Sequence, residues 1–221
     1  MTLVLGITLI AFFKLAPFEI RLEYAVIISL ALALFLSIMK IFKRNILVHN
    51  ITELMIYPGI AAVFVPIFNI WTVIALLILI SIYDMWAVWK SGIMQKMAKY
   101  QINQLQIFSG FFVPYMSNKL RTKIKNMKKM ERKKRKAVRV NVAILGGGDV
   151  IFPIITAGVM LKTFGLIPAL FVTFGAMLGL AYLFFFAEKK KFYPAMPFIT
   201  VGIALGIALG LFGTYIIGLI F

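Results

Sequence analysis

Long apolar stretches, separated by shorter charged segments, set the pattern of the chain. Most of them reach the roughly 20 residues that a helix needs to cross the hydrocarbon core of a bilayer. The apolar stretches are Met1–Phe13, Glu23–Phe42, Ile46–Ile67, Asn69–Trp89, Val142–Leu161, Phe164–Ala187 and Pro194–Phe221. The first of them is too short for a complete span. The pattern therefore predicts an all-α, polytopic transmembrane helix bundle of about six full spans plus a partial first span.

The composition indicates one integral membrane domain rather than a soluble protein. Apolar residues make up 62% of the 221 residues, well above the share in soluble domains. We divide the chain into N-terminal spans at residues 1–89, a basic loop at residues 90–140 and C-terminal spans at residues 141–221. The sequence contains no cysteine, which excludes disulfides, thiolate metal sites and a cysteine nucleophile.

The uneven distribution of basic residues predicts the orientation in the membrane. If the loop at residues 90–140 is cytoplasmic, all but three of the 24 Lys and Arg residues fall on the cytoplasmic side. Such an excess is typical of cytoplasmic loops, so we expect a multi-pass protein with its C-terminus outside. The basic run Lys119–Lys136 lies between two spans, where such clusters set topology and contact anionic lipid. Its expected partner is therefore the lipid bilayer and not nucleic acid.

Two aspartates interrupt the apolar pattern. Asp84 and Asp149 are each the only acidic residue of their stretch, and a carboxyl inside a membrane indicates a functional site. The predicted topology places both about 8–12 Å below the cytoplasmic boundary, on antiparallel helices. Two adjacent carboxyls in a low-dielectric site share a proton, and such a pair offers a general base and a general acid around one water.

The residues around the two aspartates predict room for a substrate. Gly146 and Gly148 remove side-chain bulk beside Asp149, and Pro153 cannot donate a hydrogen bond to the Asp149 carbonyl. The segment Tyr193–Pro197 contains two prolines, which favour irregular backbone lining a cavity at the same depth. A Gly-rich packing face, with Asp149 satisfied by a neighbouring helix, is the alternative interpretation.

Three short motifs carry a resemblance to a known family. They are Tyr83-Asp84, Gly146-Gly147-Gly148-Asp149 and Pro194-Ala195-Met196, in that order. With these motifs and the long loop between the first two, the chain resembles the presenilin and signal peptide peptidase family of intramembrane aspartyl proteases (GxGD type), especially its archaeal members. Met196 stands where the family usually has Leu, a volume-conserving change. Because the family has nine spans, the resemblance implies that this sequence lacks the first two and much of the third, as a fragment or as a natural minimal version.

The resemblance also implies a function. It identifies Asp84 and Asp149 as the catalytic pair of a protease that hydrolyses peptide bonds in transmembrane segments of substrate proteins or in signal peptides. The residues implied to shape the active site and hold substrate are Tyr83, Gly146, Gly148, Pro194, Ala195 and Met196. Neither a metal nor an organic cofactor is expected, and the oligomeric state stays open.

Two other functions are compatible with part of the sequence. A prepilin or preflagellin peptidase also uses a Gly-x-Gly-Asp aspartate, but it usually carries a Lys soon afterwards, where this chain has Val150–Phe152. A proton-coupled membrane carrier would use the carboxyls as a relay, but no internal repeat and no path of ionisable residues through the other spans are apparent. A zinc protease is excluded because His49 is the only histidine.

Three further expectations concern residues outside the motifs. His49 and Glu53 are four residues apart and predict a local surface pair on one helix face. Ile107–Met116 is apolar but too short to span, and we hypothesise that it pairs with an unwound substrate as a β-strand. A disordered linker is the alternative for this segment. Glycines repeated every four residues predict close helix packing, and they are Gly175, Gly179, Gly202, Gly206 and Gly210.

Overall fold

The computed structural model describes residues 1–15, 21–42, 46–91, 110–115, 141–186 and 193–220. This part of the chain contains seven α-helices and two β-strands. The helices are α1 (Thr2–Leu15), α2 (Leu22–Phe42), α3 (Ile46–Phe64), α4 (Ile70–Trp86), α5 (Gly148–Phe164), α6 (Leu166–Phe186) and α7 (Met196–Ile220). The strands are β1 (Gly110–Tyr115) and β2 (Asn141–Gly146), and α4 continues into a π-helical turn at Ala87–Ser91.

The helices confirm the predicted all-α polytopic bundle. Among the described residues, five are long and apolar enough to cross a membrane, and Thr2–Lys14 is a shorter apolar helix. The five candidate spans are Glu23–Phe42, Ile46–Phe64, Ile70–Lys90, Leu166–Phe186 and Met196–Ile216. Large apolar side chains such as Phe35, Leu79 and Phe185 are exposed on the outside of the bundle. The chain is therefore an integral, multi-pass membrane protein whose outer surface is suited to lipid.

Two clusters of buried apolar side chains hold the bundle together. The larger cluster joins α3 to α4, α5, α6 and α7 and contains Ala61, Val73, Leu77, Ile155, Val159, Met160, Ala169, Val172, Ala176, Ile199 and Ile203. The smaller cluster lies between α1 and α2, with two residues of α3 packed against it, and contains Leu5, Leu9 and Ala33. Since α3 packs against both, it connects the N-terminal helices to those that carry the two aspartates.

The predicted glycine faces are confirmed at the contact between α6 and α7. A Cβ on Gly202 would collide with the backbone carbonyl of Gly175, and a Cβ on Gly175 would collide with that of Gly202. A Cβ on Gly206 would likewise collide with the carbonyl oxygen of Phe171. The two helix backbones touch directly, as small residues allow in membranes, so α6 supports α7 along much of its length.

One predicted span is wrong over its first part. The stretch Val142–Leu161 was expected to be a single helix, but its start belongs to β2, and helix α5 begins only at Gly148. Strand β2 pairs antiparallel with β1, in a register that runs from Gly110↔Gly146 to Tyr115↔Asn141. The backbone N–H and C=O groups of β2 find partners in β1. The apolar pattern of β2 alone does not indicate this pairing. Asp149 consequently lies in the first turn of α5 rather than about eight residues into a helix.

The loop between the two aspartates contains a strand where the apolar segment Ile107–Met116 was identified. Residues 110–115 form β1, and the described partner of β1 is the chain's own strand β2. The remaining residues of that segment, and the basic run Lys119–Lys136, lie outside the described residues.

Candidate active site

The buried face of α4 carries Asp84 into the bundle. Val73, Leu77, Ser81 and Asp84 are the buried residues of this helix, and their spacing places them on one face. The two apolar members pack in the larger core cluster, so the same packing turns the two polar members inward. As a result only 7% of Asp84 is exposed.

The Asp84 carboxylate lies at the N-terminus of α7. Met196 N donates a hydrogen bond of 3.0 Å to Asp84 Oδ2, and the N–H of Ala195 also bonds this carboxylate. Helix α7 begins at Met196, and the first N–H groups of a helix have no partner within it. The partial positive charge of the helix end adds to the attraction of an anion. The Pro-Ala-Met segment therefore presents backbone donors to Asp84.

Asp149 is placed by the turn from β2 into α5. It is the second residue of α5, and its carboxyl accepts a hydrogen bond from the N–H of Gly146, the last residue of β2. A Cβ on Gly146 would lie only 3.1 Å from Asp149 Oδ2. A larger residue at this position would therefore crowd the carboxyl, which gives Gly146 a specific reason to be glycine.

The N-termini of α5 and α7 meet beside the two carboxyls. A Cβ on Gly148 would make ordinary contact with Met196 Cε at 3.8 Å. The backbone of the same Met196 bonds Asp84, so this residue lies between Asp84 and the start of α5. Pro194 is fully buried just before α7. The structure thus brings together both aspartates and all the predicted surrounding residues of the Gly-rich and Pro-Ala-Met segments.

Tyr83 is placed differently from the other predicted site residues. Its side chain lies on the outer face of α4, is 61% exposed, and has its ring centroid 6.3 Å from that of Trp86. The same face carries a groove of about 400 Å³. The lining residues of this groove are Ile82, Met85, Trp86, Trp89 and Lys90. The Tyr-Asp pair therefore points in two directions, with the carboxyl toward the bundle and the phenol toward the lipid.

A hydrogen bond near Asp84 was missed from the sequence. The hydroxyls of Ser81 and Thr200 lie 2.7 Å apart and join α4 to α7. Ser81 precedes Asp84 by about one helical turn, and Thr200 follows Met196 by about one turn. The two interhelical bonds therefore fix α4 against α7 at successive levels. A serine three residues before Asp84 was the available signal, because both residues share a helix face.

We expect the Ser81–Thr200 bond to show as a coupling in stability. Ser81→Ala and Thr200→Val should each destabilise the protein, and the double variant should lose less than the sum. Hydrogen bonds between membrane helices give couplings of about 0.6–1.7 kcal/mol. Unfolding free energies of the four proteins in detergent measure this value. A coupling within error of zero would mean that the hydroxyls do not hold the helices together.

Side chains that could ligate a metal are dispersed over the described ranges. Within the described ranges, no three His, Asp or Glu side chains are grouped so that they could hold a metal ion. The carboxyls of Asp84 and Asp149 are instead surrounded by backbone N–H groups and apolar side chains.

The fold and the site together define a class of protein: a polytopic membrane protein with two carboxyls that converge from different helices. A family model described as signal-peptide peptidase, presenilin aspartyl protease matches residues 1–216. Because that match covers nearly the whole chain, the protein belongs to this family. No curated protein matches the chain. The narrower resemblance to archaeal members stays a prediction.

Proposed function

We propose that the protein is an intramembrane protease that hydrolyses peptide bonds in transmembrane segments of substrate proteins or in signal peptides, with Asp84 and Asp149 as its catalytic pair. The observation that carries this proposal is that the N-termini of α5 and α7 face each other, with Asp149 in the first turn of α5 and Met196 N of α7 donating to Asp84. The family match supports the aspartyl-protease class.

The proposed reaction uses one water and the shared proton of the pair. The N–H donors of Ala195 and Met196 compensate a negative charge on Asp84, so Asp84 is the base in this scheme and Asp149 carries the proton. As the water oxygen attacks the peptide carbonyl, Asp84 takes a water proton and Asp149 gives its proton to the carbonyl oxygen. Proton transfer to the nitrogen then breaks the C–N bond and releases an amine and a carboxylic acid.

A cleavage assay tests the proposal directly. The purified protein, in lipid bicelles, should cut a synthetic transmembrane peptide within its apolar segment, and EDTA should not prevent the cut. Fragment masses identify the bond. Asp84→Ala and Asp149→Ala should each reduce fragments to background, and retained cleavage by either single variant would overturn the proposal.

The orientation proposed for the chain follows from its charges. Residues 90–140 are cytoplasmic and the C-terminus lies outside, because this arrangement leaves only three basic residues on the outer side. The catalytic pair then lies near the cytoplasmic end of its helices, beside the β1–β2 sheet.

The β1–β2 sheet is a suitable surface for an unwound substrate. A helical substrate must expose its peptide bond before hydrolysis, and its freed backbone groups need partners inside the membrane. Among the described strands, β1 and β2 pair only with each other, so each has an outer edge that can add a strand. Because β2 leads directly into the turn before Asp149, a strand added there would run toward the carboxyls.

A charge on the sheet should weaken substrate cleavage. Phe111→Asp and Phe112→Asp each introduce a charge into β1. We expect at least one of the two variants to lose about tenfold or more in kcat/KM, because burying a phenylalanine side chain contributes about 1.5–3 kcal/mol. Phe111→Leu and Phe112→Leu are the apolar controls. If Phe111→Asp and Phe112→Asp both cleave the peptide as well as the wild type does, β1 has no role in substrate binding.

A further inference from the structure

A buried ion pair joins α2 to α3 away from the two aspartates. Lys40 Nζ lies 2.5 Å from Glu53 Oε1, with only 13% and 4% of the two side chains exposed. His49 Nε2 lies 3.9 Å from the same oxygen. The predicted His49–Glu53 pair is thus present, but its expected surface location is wrong, and Lys40 was not anticipated as a partner. The cluster lies where α2 ends and α3 begins. Burying charged groups costs free energy even when they are paired, so a specific role for the cluster is worth seeking.

The cluster reaches the first two residues of β1. His49 Nε2 lies 2.9 Å from the carbonyl oxygen of Gly110, and since a carbonyl only accepts, the imidazole nitrogen donates. Tyr57 packs edge-on against Phe111, with ring centroids 5.4 Å apart. His49, Glu53 and Tyr57 are spaced four residues apart, so they share one face of α3. This face of α3 therefore holds the start of β1.

The start of β1 is directly opposite the end of β2 that touches Asp149. Gly110 is paired with Gly146, and a Cβ on Gly146 would lie 3.1 Å from Asp149 Oδ2. A continuous series of contacts therefore runs from the ion pair through His49, Gly110 and Gly146 to the Asp149 carboxyl. Gly146 is the residue whose N–H group bonds this carboxyl. Because Gly146 pairs with Gly110, a shift of β1 away from β2 would leave Gly146 without its partner and free it to move.

We propose that His49 and Glu53 are positioning residues for peptide hydrolysis: they fix the β1–β2 sheet and, through it, the Asp149 carboxyl and the substrate strand. This inference rests on the proposed function. Lys40 pairs with Glu53, so that this carboxylate can remain buried. Glu53 lies 3.9 Å from the imidazole, so the pair packs against His49 and limits where its ring can lie. None of the three side chains takes part in bond breaking.

The first test compares two replacements of His49. His49→Gln retains an N–H donor at a similar distance from the backbone, whereas His49→Leu removes it. Hydrogen–deuterium exchange of residues 110–115 and 141–146 reports on the sheet without any cleavage. We expect faster exchange in His49→Leu and near wild-type exchange in His49→Gln. Thr52→Val is the matched control, because this buried hydroxyl bonds to carbonyls of its own helix. Unchanged exchange in His49→Leu would overturn the inference.

The second measurement follows cleavage by the same variants. His49→Leu should lower kcat by about tenfold to a hundredfold, the effect of misplacing a reacting group by up to about 1 Å. KM should change far less than kcat, and the cut should spread to neighbouring bonds. His49→Gln should restore both the wild-type kcat and the wild-type cut position. If the wild type cleaves and His49→Leu cleaves with the same kcat and the same products, the inference fails. If the wild type itself does not cleave, the proposed function fails, whatever the exchange rates show.

A third variant separates positioning from stability. Replacing the ion pair by apolar residues, in Lys40→Met combined with Glu53→Leu, should preserve folding because such exchanges of buried ion pairs are often neutral or stabilising. The thermal midpoint should therefore stay close to the wild-type value, while the exchange rates and the spread of cut positions resemble those of His49→Leu. Wild-type cleavage by this variant would show that the cluster only stabilises the fold.

Discussion

Asparagine at position 84 or 149 is expected to lower peptide cleavage by about 10²–10⁴-fold, the contribution typical of a general acid or base. Asparagine keeps the size and an acceptor oxygen of aspartate, so the hydrogen bond from Met196 N to residue 84 can persist. It cannot take a proton from water. The loss should therefore fall on kcat, with little change in the thermal midpoint of the protein.

The double variant distinguishes a pair from two separate contributions. If Asp84 and Asp149 act as one unit, Asp84→Asn combined with Asp149→Asn should be about as inactive as either single variant, because removing one member already stops the reaction. Initial rates on a fluorogenic transmembrane peptide measure this. Glu23→Gln, which changes an exposed carboxyl of α2, is the control and should cleave normally. If the rate loss of the double variant equals the product of the two single-variant losses, the aspartates do not act as one unit.

Alanine at Gly202 is expected to separate α6 from α7. The added methyl would meet the carbonyl of Gly175, and neither backbone can yield without moving a helix. Such overpacking costs about 1–3 kcal/mol of unfolding free energy. Cleavage should fall by more than the loss of folded protein explains, because α7 also carries the Met196 N–H that bonds Asp84. Denaturation in detergent and cleavage per folded molecule measure the two effects separately.

The matched control lies on the same helix. A Cβ on Gly213 has nothing within 4 Å, so Gly213→Ala meets no obstacle and gains the helix propensity of alanine, about 1 kcal/mol in water-exposed helices. The two substitutions are chemically identical and should change stability in opposite directions. Equal effects at positions 202 and 213 would mean that the contact between α6 and α7 does not depend on glycine.

The helical part of the fold could be predicted because membrane spans follow from length and hydropathy within each segment. Val142–Leu161 shows where this reasoning ends. An apolar run of that length predicts a helix, but its periodicity alone does not distinguish a short buried strand from a buried helix. The choice is made by β1, which precedes β2 by many residues and pairs with it in an antiparallel register. Such a distant contact leaves no trace in the hydropathy of β2 itself.

The two aspartates could be found from the sequence because each is the only acidic residue of an apolar segment, where burying a carboxyl costs free energy. The groups that hold them could not, since they are mostly backbone N–H groups of Gly146, Ala195 and Met196, which every non-proline residue possesses. Only the helix start near Pro197 could indicate backbone donors for a carboxylate, because the N-terminus of a helix attracts anions. The pairing of Lys40 with Glu53 could not be predicted because it joins two helices, and residue spacing indicates neighbours only within one helix.

The position of α7 in the chain has a consequence for biosynthesis. Ribosomes make proteins from the N-terminus, so α7 enters the membrane after the other six described helices. Until it does, Asp84 lacks the Met196 N–H group that completes its surroundings. The proposed hydrolytic pair is therefore assembled last, and a nascent chain in the translocation machinery, next to other unfolded membrane proteins, is still without its finished active site.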